Sequence, residues 1–183
     1  PKRCLLENQS RFDHDVAVRA EQGDPAAQYE LGLALLMGLG LPRNESQALV
    51  WLLAAAKTGH ERAQGIVASM YLHGVGGQAS KENAAYWYEK ASEQGDDDAS
   101  FALALMKLRG EGVSEDRESA KAMLVGLANR HHAMAQGRLG ELLLGEGDSL
   151  KAQEAMTWLK RAVAGGNHDA NYWLILAHIK VTP

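Results

Sequence analysis

The sequence predicts an all-α protein: a right-handed α/α superhelical solenoid of helix-turn-helix repeats with a 36-residue period. Three sets of residues carry this prediction, namely alanines, paired glycines, and large side chains in the second half of each repeat. Each set recurs at intervals of 35 or 36 residues along the 183-residue chain. Agreement between independent sets excludes a chance match and favours one repeated structural unit.

The first set is an alanine that stands four residues before an aliphatic residue. These anchor alanines are Ala27, Ala63, Ala99, Ala135 and Ala170. Apolar residues at i, i+4 and i+8 follow them, as in Ala27, Leu31 and Leu35, and predict an amphipathic helix that we call helix A. A small residue follows the aliphatic one and predicts close approach of a neighbouring helix: Gly32, Ala68, Ala104 or Gly140.

The second and third sets define the rest of each repeat. Paired glycines predict loops that end the first four A helices: Gly38 and Gly40, Gly74 and Gly76, Gly110 and Gly112, Gly145 and Gly147. A second helix, helix B, carries Ala48, Ala84, Ala120 or Ala155, followed three residues later by Trp51, Trp87, Met123 or Trp158. Because the tryptophans recur at the repeat period, we predict that they lie in the core.

These sets predict one solenoid over residues 12–179, between an N-terminal extension (1–11) and a tail (180–183). The solenoid comprises a half repeat (12–23), four repeats (24–59, 60–95, 96–131 and 132–166) and a terminal helix (167–179). The third repeat lacks the closing glycine at Asn129-Arg130-His131, and the fourth has a shortened loop, so we expect local distortion there. The first residue is proline, not methionine, which we interpret as a sign of a trimmed or mature form.

Composition excludes several classes of function. A net charge of −4, without a basic stripe, argues against a nucleic-acid partner. The longest apolar stretch, residues 48–56, is far short of the roughly 20 residues that span a bilayer, so we predict no transmembrane segment. The single cysteine, Cys4, makes no internal disulfide, and the fold therefore does not depend on an oxidising compartment.

We predict no catalytic site, no metal and no cofactor. His60, His132 and His168 fall at or beside equivalent turns between repeats, which favours a structural role over a zinc site. Asp96, Asp97 and Asp98 fall at the first turn of a helix A, where carboxylates complement the helix dipole and cap free N–H groups, so we favour capping over calcium binding. The glycines belong to the repeat, and neither a phosphate-binding loop nor a Gly-x-Ser-x-Gly motif occurs.

Several segments resemble the Sel-one-like repeat (SLR) family: AQYELG at 27–32, YLHGVG at 71–76, AAYWY at 84–88 and KASEQG at 90–95. The resemblance covers residues 12–179 and implies a tetratricopeptide-like α/α solenoid. It also implies a non-enzymatic adaptor of the kind that assembles membrane-associated, secretory or signalling complexes, often in bacteria. Some members look like immunity proteins that neutralise secreted toxins, including type VI lipases. Hydrolase activity has been suggested for cysteine-rich relatives with paired cysteines in every repeat, a pattern that this chain lacks.

From the resemblance we expect a protein–protein interaction scaffold or adaptor that binds its partner through the concave helix A surface. The alternative is an immunity protein that neutralises a secreted toxin such as a type VI lipase effector, and a hydrolase is the least favoured function. The expected partner is another protein, either a toxin or effector or a component of a membrane- or secretion-associated complex. We favour the bacterial periplasm as its location, with the cytoplasm as the alternative.

By analogy with tetratricopeptide geometry, the concave wall takes one row of exposed positions from every helix A. This row is rich in apolar residues, which is typical of an interaction surface. With flanking polar groups, the predicted partner-binding residues are Tyr29, Leu33, Leu36, Arg62, Ser69, Leu72, His73, Phe101, Leu105, Leu108, Arg109, Glu141, Leu144, Tyr172 and Leu176. The row also includes Gly65, Gly137 and Ile179, and Arg138 lies at its rim. The alternative is that its leucines only fill the interface between successive A helices.

Overall fold

The computed structural model describes residues 15–147 and 149–181, and every regular element in these ranges is an α-helix. Helix α1 includes residues 15–21. It is followed by α2 (Pro25–Met37), α3 (Glu45–Lys57), α4 (Glu61–His73), α5 (Lys81–Glu93), α6 (Asp97–Arg109), α7 (Arg117–Asn129), α8 (Ala133–Gly145), α9 (Ser149–Ala164) and α10 (Ala170–Val181). The even-numbered helices are the predicted A helices and the odd-numbered helices the B helices. The predicted all-α fold of helix pairs is therefore confirmed.

The chain forms two compact units, which we describe separately. Unit 1 comprises Pro1–Ala99 with Glu111–Val113, and unit 2 comprises Ser100–Gly110 with Ser114–Pro183. Helix α10 continues to Val181, two residues into the segment that the sequence predicted as a tail. The predicted extension (1–11), the start of the half repeat (12–14), Asp148 of the shortened loop, and residues 182 and 183 lie outside the described residues.

Four A helices, α2, α4, α6 and α8, follow a residue whose side chain accepts a backbone N–H from the first turn. Asp24 accepts from Ala26 at 2.9 Å, and Asp96 accepts from Ala99 at the same distance. His60 Nδ1 accepts from Ala63 at 3.3 Å, and His132 Nδ1 accepts from Ala135 at 3.2 Å. These four side chains satisfy helix N–H groups that would otherwise lack a partner. The predicted structural roles of His60, His132 and Asp96 are therefore confirmed.

The two helices of a repeat pack closely where helix A carries its small residue. A Cβ atom on Gly32 would lie 2.6 Å from Leu52 Cγ of α3, and one on Gly140 would lie 2.5 Å from Leu159 Cγ of α9. Both distances are too short for real carbon–carbon contacts. Glycine is therefore required at these positions so that a leucine of helix B fits against helix A.

A buried glutamine ties each of three A helices to the preceding helix B. The Nε2 groups of Gln28, Gln64 and Gln136 donate to the carbonyl oxygens of Ala20, Ala56 and Ala128, at 3.0 to 3.2 Å. Each of these carbonyls lies near the end of helix B and also accepts an N–H of the closing turn, from Gly23, Gly59 or His131. Successive helices are thus joined by polar as well as apolar contacts.

The core position of helix B lies one residue beyond the predicted tryptophan. Trp87 is buried, at 8% exposed, but Trp51 and Trp158 are only half-buried. The next positions, occupied by Leu52, Leu124 and Leu159, are completely buried. One residue turns the side chain by about 100° around the helix. The prediction that the tryptophans are buried in the core is therefore confirmed for Trp87. It is wrong for Trp51 and Trp158, which are only half-buried and lie at the edge of the core.

The third repeat keeps its turn without a glycine. His131 has φ of +65°, in the left-handed region where the other closing turns have glycines such as Gly59 and Gly95. The His132 N–H donates to the Leu127 carbonyl at 3.1 Å, as the His60 N–H does to Ala55 in the first full repeat. The expected distortion is thus limited to the strained backbone of one histidine.

Candidate functional site

Unit 2 carries a groove of about 750 Å³ on a face formed by α6, α8 and α10 and bordered by α7. Its apolar lining consists of leucine, isoleucine and tryptophan: Leu108, Leu142, Leu144, Trp173, Leu176 and Ile179. We call it the main groove. A concave apolar surface of this volume accommodates several side chains of a bound segment.

A smaller groove of about 200 Å³ adjoins the main groove, and we call it the side groove. Its apolar lining includes Phe101, Leu105, Met134 and Ala170. Arg138, Glu141 and Trp173 line both grooves. The two grooves are therefore parts of one surface.

Equivalent positions of three successive A helices build this surface. Leu108, Leu144 and Ile179 each lie nine residues after an anchor alanine and line the main groove. Leu105, Glu141 and Leu176 lie six residues after the same alanines, and each lines at least one groove. Because the helices repeat one packing arrangement, the same two positions face the groove in each of them.

One ion pair, between Arg138 and Glu141, belongs to the lining of both grooves. Arg138 Nη1 donates to Glu141 Oε2 at 2.5 Å, and the two side chains are 25% and 28% exposed. Arg138 Nε is buried and has no hydrogen-bond partner among the described residues. An unpaired buried N–H is unfavourable and needs an explanation.

The rim of the main groove carries further charged side chains. Lys121 of α7 pairs with Glu146 just after α8, and Lys151 of α9 approaches the same carboxylate at 3.9 Å. The hydrogen bond from Lys121 lowers the pKa of Glu146, which keeps this carboxylate ionised. Lys180 Nζ of α10 donates to the Leu144 carbonyl oxygen at 2.8 Å and thereby caps the end of α8.

In unit 2 most of the predicted partner-binding residues line the grooves. They are Phe101, Leu105, Leu108, Arg109, Glu141, Leu144 and Leu176. Leu108 and Leu144 are only 7% and 4% exposed, so they form the floor of the main groove and do not project from it. Tyr172 is 63% exposed and lies outside both linings. Partner binding by these residues stays a prediction.

Sequence reasoning missed part of the lining: Met134, Leu142, Trp173, Lys121 and Lys180. The predicted row takes one residue per helical turn, whereas a groove-facing surface is wider than one row. Trp173 lies three residues after its anchor alanine, as Arg138 does. A search for large side chains beside the row would therefore have found Trp173. The contribution of Lys121 depends on how α7 packs, which no local sequence pattern gives.

In unit 1 the predicted residues are more scattered. A shallow depression is lined by Tyr29, His60, Arg62 and Gln94, among others, whereas Leu33, Leu36, Leu72 and His73 lie outside its lining. The three leucines are half-buried and His73 is exposed. Ser69 is hydrogen-bonded to Tyr88 of α5. Burial raises the pKa of Tyr88, and this bond offsets only part of the rise. The Ser69 hydroxyl is thus used within unit 1.

A pairing rule links each helix A to the next repeat. Where histidine caps the following helix A, an aromatic ring of the preceding helix A packs on it. Tyr29 packs on His60, with ring centroids 4.4 Å apart, and Phe101 packs on His132 at 5.2 Å. Where the next residue is Asp96 or Asn167, the equivalent position is Gly65 or Gly137, and a Cβ there would meet the Asp96 or Asn167 side chain. Aromatic residues and glycines of the predicted row therefore serve the contact between repeats as well as the surface.

Three large hydrophobic side chains of α10 are exposed. Tyr172, Ile175 and Ile179 are 62% to 65% exposed. Ile175 stands where the four preceding A helices carry Gly or Ala, and at Gly32 and Gly140 a leucine of helix B packs against this position. An isoleucine at this position blocks that packing in its usual register.

Two absences within residues 15–147 and 149–181 bear on other kinds of site. No group of three or more His, Cys, Asp or Glu side chains in these ranges is arranged to hold a metal ion. None of the helices within them combines the length and the apolar character needed to cross a membrane.

The repeats and the fold of this chain are similar to those of known proteins. The family model for the Sel1 repeat matches residues 25–60, 62–96, 97–124 and 133–167. A Sel1 repeat protein from Oxalobacter formigenes is 30% identical, with a TM-score of 0.78. A protective antigen present in uropathogenic Escherichia coli strains, displaying an SLR fold, is 29% identical, with a TM-score of 0.79. No curated protein matches the chain significantly.

The extent of these matches differs between the chains. The two structures match 86% and 87% of this chain but only 65% and 34% of their own lengths. The helix pairs, the small-residue contacts and the groove define a solenoid repeat protein of the tetratricopeptide-like class. The chain belongs to the Sel1 repeat family. Proteins of this family generally mediate protein–protein interactions.

Proposed function

We propose that this chain is a non-catalytic interaction scaffold that binds a segment of another protein in the main and side grooves of unit 2. The observation that carries the proposal is the apolar surface built from equivalent positions of α6, α8 and α10. Grooves with leucine and tryptophan walls bind helices or extended segments through aliphatic anchor residues. The proposed partner is a toxin, an effector or a component of a larger complex.

The charged groups of the grooves favour binding over catalysis. Glu141 is paired with Arg138, and Glu146 is paired with Lys121. A general acid or base needs a carboxyl group that exchanges its proton near the working pH, and the hydrogen bond from Lys121 lowers the pKa of Glu146. These ion pairs are better suited to fixing the orientation of a bound segment.

Site-specific photo-crosslinking tests this proposal. Benzoylphenylalanine replaces Leu105 in the side groove or Ile179 in the main groove, and the chain is then irradiated in the native cell. The same partner is expected to crosslink from both positions because both face one surface. Mass spectrometry of the crosslinked species identifies the partner and the segment that it contributes.

The matched control places the same photoreactive residue at Val125. This side chain is 37% exposed on α7 of the same unit and lies outside both grooves. We expect no crosslink to the partner from Val125. Crosslinking to the partner from Val125 but from neither groove position would show that the grooves are not the binding surface.

A further inference from the structure

We infer that the grooves of unit 2 select an acidic amphipathic segment, with aliphatic side chains on the groove walls and a carboxylate bound to Arg138. This inference rests on the proposed function and specifies the chemistry of the partner. It depends on three observations: the charge of each unit, the state of the groove carboxylates, and the incomplete hydrogen bonding of Arg138.

The charge of the chain is divided unequally between its units. Unit 1 contains nine Lys and Arg against fifteen Asp and Glu, whereas unit 2 contains ten against eight. The formal charges are therefore −6 for unit 1 and +2 for unit 2, although the whole chain is acidic. The apolar grooves lie in the cationic unit, and a concave surface concentrates the potential of its charges.

The half-buried carboxylate within the grooves and the one at the rim are already neutralised. Glu141 accepts from Arg138, and Glu146 lies between Lys121 and Lys151. The lining carboxylates without an ion pair in the described part of the chain, Glu118 and Asp169, are exposed to water, where solvent weakens their influence. Lys180 donates to a neutral carbonyl, so its positive charge is not balanced by that bond.

Arg138 is the cation placed best to receive a carboxylate. It lines both grooves, as Trp173 does, and is only 25% exposed. Its guanidinium contacts Glu141 through Nη1, while Nε has no partner among the described residues. A guanidinium binds carboxylates through pairs of N–H groups, and such bonds are strong where water is excluded. A bound carboxylate would therefore add hydrogen bonds to the Arg138 guanidinium and share its positive charge with Glu141.

The test uses three labelled helical peptides of about 16 residues, or four turns, whose leucines repeat at helical spacing. Their polar positions carry glutamate, glutamine or lysine, and dissociation constants are measured by fluorescence anisotropy. We expect the glutamate peptide to bind about tenfold more tightly than the glutamine peptide at low salt. The difference is expected to shrink as salt is added. Equal binding of all three peptides, or tightest binding of the lysine peptide, would overturn the inference.

Two variants assign the preference to Arg138. Arg138→Gln is expected to remove the advantage of the glutamate peptide, whereas Lys160→Gln, which removes a positive charge from the exposed surface of α9 in the same unit, is expected to preserve most of it. Glu141→Gln removes the carboxylate that shares the charge of Arg138 and is expected to raise affinity for the glutamate peptide severalfold. A gain of affinity does not arise from unfolding. Unchanged affinity in Glu141→Gln would contradict the role of Arg138.

The glutamine peptide separates this inference from the proposed function. If it binds as well as the glutamate peptide and Ile179→Glu abolishes binding, the groove is a docking site but the acidic preference is wrong. If none of the peptides binds, and the partner crosslinks from neither groove position, both proposals fail. Self-association of the chain that Arg138→Gln abolishes, measured by sedimentation, would assign the groove to a second copy instead.

Discussion

Replacing Gly76 with alanine is expected to lower the free energy of unfolding by about 3 kcal/mol. Gly76 has φ of +78°, and an added Cβ would overlap the backbone carbonyl of Glu45 at the start of α3. Since backbone moves less readily than a side-chain tip, the loop after α4 must shift away from α3. Urea denaturation monitored by far-ultraviolet circular dichroism measures the loss.

Gly147→Ala is the matched control for this effect. Gly147 has φ of +79°, almost the same backbone conformation, but apart from its chain neighbours no heavy atom of residues 15–147 and 149–181 lies within 4 Å of its added Cβ. Only the left-handed backbone strain remains, so we expect a loss of about 1 kcal/mol. Equal losses in Gly76→Ala and Gly147→Ala would mean that the contact between repeats contributes nothing at Gly76.

Replacing Trp87 with alanine is expected to lower the free energy of unfolding by about 3–5 kcal/mol. Trp87 is the most buried of the three repeating tryptophans, and removing its indole leaves a cavity that the surrounding helices cannot fully close. Differential scanning calorimetry measures the accompanying fall in the midpoint temperature.

Tyr86→Ala serves as the control on the same helix. Tyr86 is 52% exposed and touches the Trp87 ring edge-on, with ring centroids 5.1 Å apart. Its loss is expected to cost less than about 1 kcal/mol. If Tyr86→Ala were as destabilising as Trp87→Ala, burial would not explain the importance of the tryptophan.

The repeat fold could be predicted because each recurring residue has a local reason for its identity. Gly32 and Gly140 are small because a leucine presses against them, and Asp24 and His60 begin helices by accepting N–H groups. These requirements return in every repeat and therefore appear as intervals in the sequence. The buried glutamines, such as Gln64, follow the same interval and were available to the same kind of search.

The rotation of the core could not be predicted from the intervals alone. A repeat fixes which positions are equivalent but not which of two neighbouring positions points inward. Trp51 and Leu52 recur together, and only the packing of α3 shows that Leu52 is completely buried while Trp51 is half-buried.

The candidate site could be predicted in part. The helix A row included Leu105 and Leu176, which line the grooves, because equivalent positions on successive helices face the same way. The same row predicted partner binding equally for Leu36 and Leu72 of unit 1 and for Leu108 and Leu144 of unit 2, although only the latter two line a groove. Groove depth depends on contacts between helices that are distant in the sequence, so the row could not distinguish the two units.

The most direct test of the account is the affinity of the purified partner for two matched variants, measured by isothermal titration calorimetry. Ile179→Glu places a charge in the main groove, and Val50→Glu places one on α3, outside it; the two side chains are 65% and 64% exposed. We expect Ile179→Glu to weaken binding at least about tenfold and Val50→Glu to leave it unchanged. Binding at wild-type affinity by Ile179→Glu, or equal weakening by both variants, would contradict the assignment of the groove as the binding site.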